Sequence, residues 1–278
     1  VTTSPCLAVV EKTHEDNMFQ LTPSASATGV IKYDNVFQMC FTDPNQGTKS
    51  ADYIAENKLA TKVAVIYNSS DAYSSGIYNN FTKEAKEKGI EVVSAEAFTD
   101  DSKTDFSVQL NKSKASGAEL VFLPIYAQEA SQILEQANSM GYQTTFFGCD
   151  GLDGILAIEG FNKSLAEGVI LLTPFVAGDT KSQANVDFTN KFKEKYKDTP
   201  NQFAADAYDA IYIIAECMKS GNVTADMSAS DICGIMKTEM TKVKYDGLTG
   251  EGITFAADGS VNKSPNAMKI QNGEYVPM

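Results

Sequence analysis

KVAVIYNSSDAYSSGIYNNFTKEAKEKG, residues 62–89, decides the fold. Its first part, KVAVIY (62–67), is a short apolar run closed by the turn formers Asn68, Ser69, Ser70 and Asp71, which reads as a strand. In the rest, Ile77, Phe81 and Ala85 recur at a spacing of four, which puts them on one face of a helix, and Gly89 stops it. A second strand, EVVSAEAF (91–98), follows at once. Strand, helix and strand in this order form a βαβ unit with a right-handed crossover.

Working outward, the same alternation continues. The helix GTKSADYIAENK precedes the unit, and FSVQLNKSKASG and AQEASQILEQANSMG are further helices. ELVFLPIY (119–126), TTFFGCD (144–150) and GVILLTPF (168–175) are further strands. Residues 47–175 therefore predict a doubly wound α/β domain, with about five parallel strands covered by helices on both faces.

The flanks differ. SPCLAVVEKTHEDN opens as a helix with Ser4 as N-cap and Pro5 at the first helical position, and short extended runs follow at Met18–Leu21 and within NVFQMCFTDP (35–44). After residue 178 three helices come in succession. The second of them offers Phe203, Ala207, Ile211, Ile214 and Met218 as its core face. The tail reads as strands joined by Asp-Gly and Asn-Gly turns. Segments 1–45 and 179–245 thus hold four helices and only one or two strands, too small a sheet to cover them. Further strands are expected ahead of Val1, which is not a methionine.

Composition excludes several function classes. A net charge of −13 and a pI near 4.6 argue against nucleic-acid or phosphate-surface binding. No apolar run approaches the roughly 20 residues that span a bilayer. Cys6, Cys40, Cys149, Cys217 and Cys233 are odd in number and lack metal spacing, so they read as small buried hydrophobes, with a Cys217–Cys233 bridge as the alternative. His14, the only histidine, sits at a polar helix end, where solvation is the ordinary reading. Its isolation disfavours metal and Ser-His-Asp chemistry; no enzyme, metal or cofactor is expected.

MFQLTPSASATG (18–29) leaves its strand through Pro23 into Ser24, Ala25, Ser26, Ala27 and Thr28. Small hydroxylated residues make ordinary turns, and they also let backbone approach a small polar ligand. Asp150 closes the strand TTFFGCD, where a carboxylate faces the crevice of a parallel sheet. It could serve a ligand or cap the turn GLDG, which contains a second candidate in Asp153. Tyr73 and Tyr126 lie just beyond strand ends, and Cys149 has no base near it in sequence.

VTTSPCLAV, LTPSASAT, NVFQMCFTDPNQG, VAVIYNSSDAYSSG, LVFLPIYAQEASQIL, FFGCDGLDG, AADAYDAIYIIAE and GLTGEGITFAADG occur in one order along the whole chain. In that order and spacing the chain resembles the branched-chain amino-acid-binding proteins of ABC transporters, the type I periplasmic binding proteins. The resemblance implies two α/β lobes, residues 1–45 with 179–245 and residues 46–178 with 246–278. The chain would pass between them near Phe41, Pro174 and Gly247, with ligand held between the lobes. The family carries about two more βαβ units in front, matching the expected missing strands. One lobe would then be complete and the other truncated at its N-terminal side, completed by the missing segment or hidden by self-association.

The resemblance also implies a site. Thr3 and the turn Ser24, Ala25 and Ser26 would hold an α-carboxylate and α-ammonium, Ser24 through its carbonyl and Ala25 and Ser26 through N–H groups. Asp150 would pair with the ammonium, though the family often has Glu there, and Tyr73 and Tyr126 would close over the ligand. Tyr208–Ala210 recurs in the family and is read as packing. The expected function is an extracytoplasmic solute-binding protein, periplasmic or a cell-surface lipoprotein with its anchor removed. It would deliver a branched-chain type of amino acid to a membrane permease. The alternative on the same fold is a ligand-sensing module, a receptor ectodomain or an amide-responsive regulator.

Overall fold

The computed structural model describes residues 2–278; Val1, which opens the VTTS turn, lies outside the described residues. The chain falls into two compact units. The first comprises the chain up to Thr42 and Ala177–Ser264, and the second Asp43–Val176 and Pro265–Met278.

The first unit opens with α1 (Thr3–Glu15), β1 (Gln20–Thr22) and β2 (Val36–Gln38). The helix starts before Ser4. Thr2 is its N-cap, without a side-chain bond, and Pro5 falls in the first turn, where a missing N–H costs nothing. β1 and β2 pair in parallel, Thr22 opposite Gln38. Val36 packs with Cys6, Val10 and Ala25 on one side of the pair, while Phe37 turns to the other side, toward Ile213, Met236 and Phe255. His14 is exposed and stacks on Tyr33, ring centroids 3.9 Å apart.

In the second unit the chain runs α2 (Asp43–Glu56), β3 (Lys62–Asn68), α3 (Ala72–Glu87), β4 (Glu91–Phe98), α4 (Ser107–Ala115), β5 (Leu120–Leu123), α5 (Ala127–Ser139), β6 (Thr145–Gly148) and β7 (Ile170–Thr173). These five strands are parallel, in the order β4-β3-β5-β6-β7. Alternation along each strand separates two cores. Val63, Val65, Leu120 and Phe122 face Ile54, Ile77 and Phe81 of α2 and α3, and Ala64, Ile66, Val121 and Leu123 face Leu110, Ile133 and Leu134 of α4 and α5. Each fully buried Phe or Leu contributes about 1.5–3 kcal/mol. Gly47 lets α2 meet α3 closely, since a Cβ there would lie 2.5 Å from the Ile77 carbonyl oxygen.

The chain then returns to the first unit as α6 (Gln183–Tyr196), α7 (Gln202–Ser220) and α8 (Ala229–Met240), and ends as β8 (Asn266–Gln271) and β9 (Glu274–Pro277). β8 joins β7 antiparallel and pairs with β9 across Asn272 and Gly273, whose positive φ of 53° and 74° suits the Asn-Gly turn.

Three expectations are corrected. Residues 246–264 belong to the first unit, not the second. Asp209 accepts hydrogen bonds from the N–H groups of Leu248 and Thr249, while Ile253 and Phe255 join the core of Ile213 and Met240. Between Gly247 and Ser264 no regular strand forms; two isolated bridges, Tyr245 to Ile253 and Phe255 to Val261, take its place. The buried face of α7 is Ala205, Asp206, Asp209, Ala210, Ile213 and Cys217, so Ile211 and Met218 point outward.

Candidate ligand-binding site

Two clusters gather the expected site residues, one in each unit. In the first unit, the Thr22 hydroxyl accepts from Ala25 N–H at 3.2 Å and holds the turn against the end of β1. Thr3, buried at the start of α1, accepts from the N–H groups of Ser26 and Ala27 at 3.3 and 3.4 Å. Ala25 and Ser26 are buried and Ser24 is half-buried. The Ser26 hydroxyl, also buried, finds no hydrogen-bond partner among the described residues. Leaving such a group unpaired costs about 1–3 kcal/mol. Two long N–H bonds, one orphaned hydroxyl and a helix N-terminus form a cluster of donors suited to a carboxylate. Ala27 N–H takes part in this cluster although the sequence singled out only its neighbours.

In the second unit, Tyr73, Tyr126 and Asp150 meet at the carboxyl ends of β3, β5 and β6. Asp71 caps α3 by accepting from Ser74 N–H, which places Tyr73 in the first turn. The Tyr73 hydroxyl donates to Asp150 Oδ1 at 2.7 Å and accepts from Gly151 N–H at 2.9 Å. Its ring stacks on Tyr126, centroids 4.7 Å apart and planes 19° from parallel. Asp150 N–H reaches Gln46 Oε1 at 3.4 Å.

Asp150 is 2 % exposed and Tyr73 is 2 % exposed, whereas Tyr126 is half-buried. The Tyr73 ring is thus packed against Tyr126, and its hydroxyl is engaged by Asp150 and the Gly151 N–H. Burial, then the charge of Asp150, pushes the Tyr73 hydroxyl well above its ordinary pKa, so it stays a donor. Burial likewise pushes the Cys149 thiol well up; next to Ser50 at 3.6 Å it is a neutral bystander. All five cysteines are buried and unbridged. Among the described residues no group of His, Cys, Asp and Glu could hold a metal, and no helix is long and apolar enough to cross a membrane.

Gln46 escaped the sequence reading. Its only signal was its place in FTDPNQG, and it meets Asp150 from 104 positions away.

The comparisons with known proteins agree in kind. The sequence profile of the family described as periplasmic binding protein matches residues 1–274. A Leu/Ile/Val-binding protein homologue of Brucella melitensis is 30 % identical over 234 residues, covering 82 % of this chain and 61 % of that protein. The leucine-, isoleucine-, valine-, threonine- and alanine-binding protein of Pseudomonas aeruginosa is 29 % identical over 77 % of this chain and 56 % of its own. The branched-chain amino acid transporter substrate binding protein of Streptococcus pneumoniae, solved with isoleucine, superposes with a TM-score of 0.86 at 26 % identity, covering 100 % of this chain and 78 % of that one. The chain spans about three-fifths of the length of the curated relatives it matches.

Proposed function

The chain belongs to the periplasmic binding protein family, a family of binding proteins and not of enzymes, and we propose that it is the solute-binding component of an ABC importer for amino acids. The ligand is a small amino acid of the branched-chain type, handed to a membrane permease outside the cytoplasm. The observation that carries this reading is the buried Asp150 carboxylate held by the Tyr73 hydroxyl at the ends of three parallel strands. A buried carboxylate calls for a cation, and an α-ammonium meets it with a charge-assisted hydrogen bond. Within the first unit, the cluster of Thr3, Ser26 and Ala27 suits an α-carboxylate, and the Ser24 carbonyl suits an α-ammonium. Tyr126 offers an aromatic face for an aliphatic side chain.

Thermal-shift screening with the twenty amino acids tests the proposal. A ligand at 100 times its Kd stabilises a protein by about 2.7 kcal/mol. Leucine, isoleucine or valine should raise the midpoint, and a flat response to all twenty refutes the proposal.

A further inference from the structure

We infer that Tyr73 acts in binding through its hydroxyl, as the positioning residue that orients Asp150 toward the ligand's ammonium; the inference rests on the amino-acid reading above. The direction of its hydrogen bonds is forced. Gly151 N–H can only donate, so the hydroxyl accepts from it at 2.9 Å and turns its own proton to Asp150 Oδ1 at 2.7 Å. One oxygen atom thereby fixes both the carboxylate and the backbone that follows it.

The surroundings leave the hydroxyl no other place. The ring is clamped against Tyr126 and anchored in a capped helix. Residue 151 must be glycine for the contact to exist, because a Cβ there would lie 2.6 Å from the Tyr73 hydroxyl oxygen and 2.6 Å from the Ile125 carbonyl oxygen. A phenylalanine would fill the same space and keep the stacking, so packing alone does not require the hydroxyl. The ionisable groups acting on it are Asp150, Cys149 and Tyr126, and Asp43 acts on Cys149 from α2. Within that set, a neutral donor on Asp150 favours the carboxylate form without supplying a positive charge.

The test uses Tyr73→Phe in the full chain, with Tyr78→Phe, on the same helix but outside the site, as control. In ligand-free protein, carbon-13 NMR of the Asp150 carboxyl follows its titration. Losing the donor should move the midpoint to higher pH in Tyr73→Phe and leave it in place in Tyr78→Phe. A merely structural tyrosine would not move it. Calorimetry with L-leucine should show a loss of about 10- to 100-fold in Tyr73→Phe, the value of a hydrogen bond to a charged group. That binding should also fail at a higher pH on acidification. An unmoved midpoint overturns the inference whatever the leucine result. A moved midpoint with unchanged leucine affinity overturns the role in binding. If the midpoint moves but wild type binds no amino acid, the amino-acid reading falls, and the ligand part of this inference with it.

Discussion

Asp150 and Asp153 are both buried and three positions apart, yet their surroundings separate them. Asp150 faces Tyr73, whereas Asp153 lies beside Tyr275, whose hydroxyl accepts from Gly154 N–H at the far end of the turn. Asp150→Ala should weaken amino-acid binding by about 2–5 kcal/mol in calorimetry, because an ammonium would lose its partner. Asp153→Ala should leave affinity within about twofold, as expected of a substitution that removes no ligand contact. Gly151→Ala should lower the unfolding free energy by about 1–3 kcal/mol in a urea titration, since its Cβ overlaps Tyr73 and a backbone carbonyl. A neutral result would mean that the turn yields more easily than its geometry implies. The sequence pointed to Asp150 because it lies just past the carboxyl end of β6, where side chains reach the crevice. It left the role of Tyr73 hidden, because residue type says nothing about where a hydroxyl points across 77 positions of chain.

Helix α7 shows why one element was misread while its neighbours were not. On α3, the apolar stripe Ile77, Phe81 and Ala85 is the buried face, since the rest of that helix is polar. On α7 apolar residues surround the axis, and hydrophobicity alone favours the stripe ending in Ile211 and Met218. The structure buries the stripe containing Asp206 and Asp209 instead. Lys263 pairs with Asp206 at 2.6 Å, and the loop at Leu248 and Thr249 satisfies Asp209. A pattern scored on apolarity discards acids, and their partners lie some 40 to 57 positions downstream. The β8–β9 hairpin, by contrast, was written locally in Asn272 and Gly273. The corrected face has a direct check. Ile213→Ala, at 0 % exposure, should cost about 2–5 kcal/mol, and Ile211→Ala, at 65 % exposure, no more than about 0.5 kcal/mol. Equal losses in denaturant unfolding would return α7 to its original reading.

For the molecule as a whole, charge governs both stability and association. Burial holds the Asp206 carboxyl up to about 6 against the lowering effect of Lys263. The folded chain therefore binds this proton more tightly than the unfolded chain does. Its contribution to stability is full below the ordinary carboxylate range and fades as pH rises through about 6. Thermal midpoints should accordingly rise as pH falls from 7 to 5, and Asp206→Asn should flatten that slope even though it lowers the midpoints themselves. Association follows from the outward side of the first unit. Tyr208, Ile211 and Tyr212 are exposed along α7, and Phe188, Phe192 and Tyr196 continue the aromatic contacts along α6 beside a groove of about 860 Å³. Exposed apolar and aromatic side chains such as these favour self-association, while a net charge of −13 opposes it. Salt screens the repulsion and leaves the apolar attraction intact. The 278-residue chain should therefore form oligomers that grow with protein concentration and strengthen between low and high salt, as read by size exclusion with light scattering. Replacing Ile211 with Glu and Tyr212 with Lys together should move the midpoint concentration upward by about tenfold or more, because such aromatic anchors dominate interfaces. A chain that stays monomeric at every concentration and salt would show that this face is stable in water.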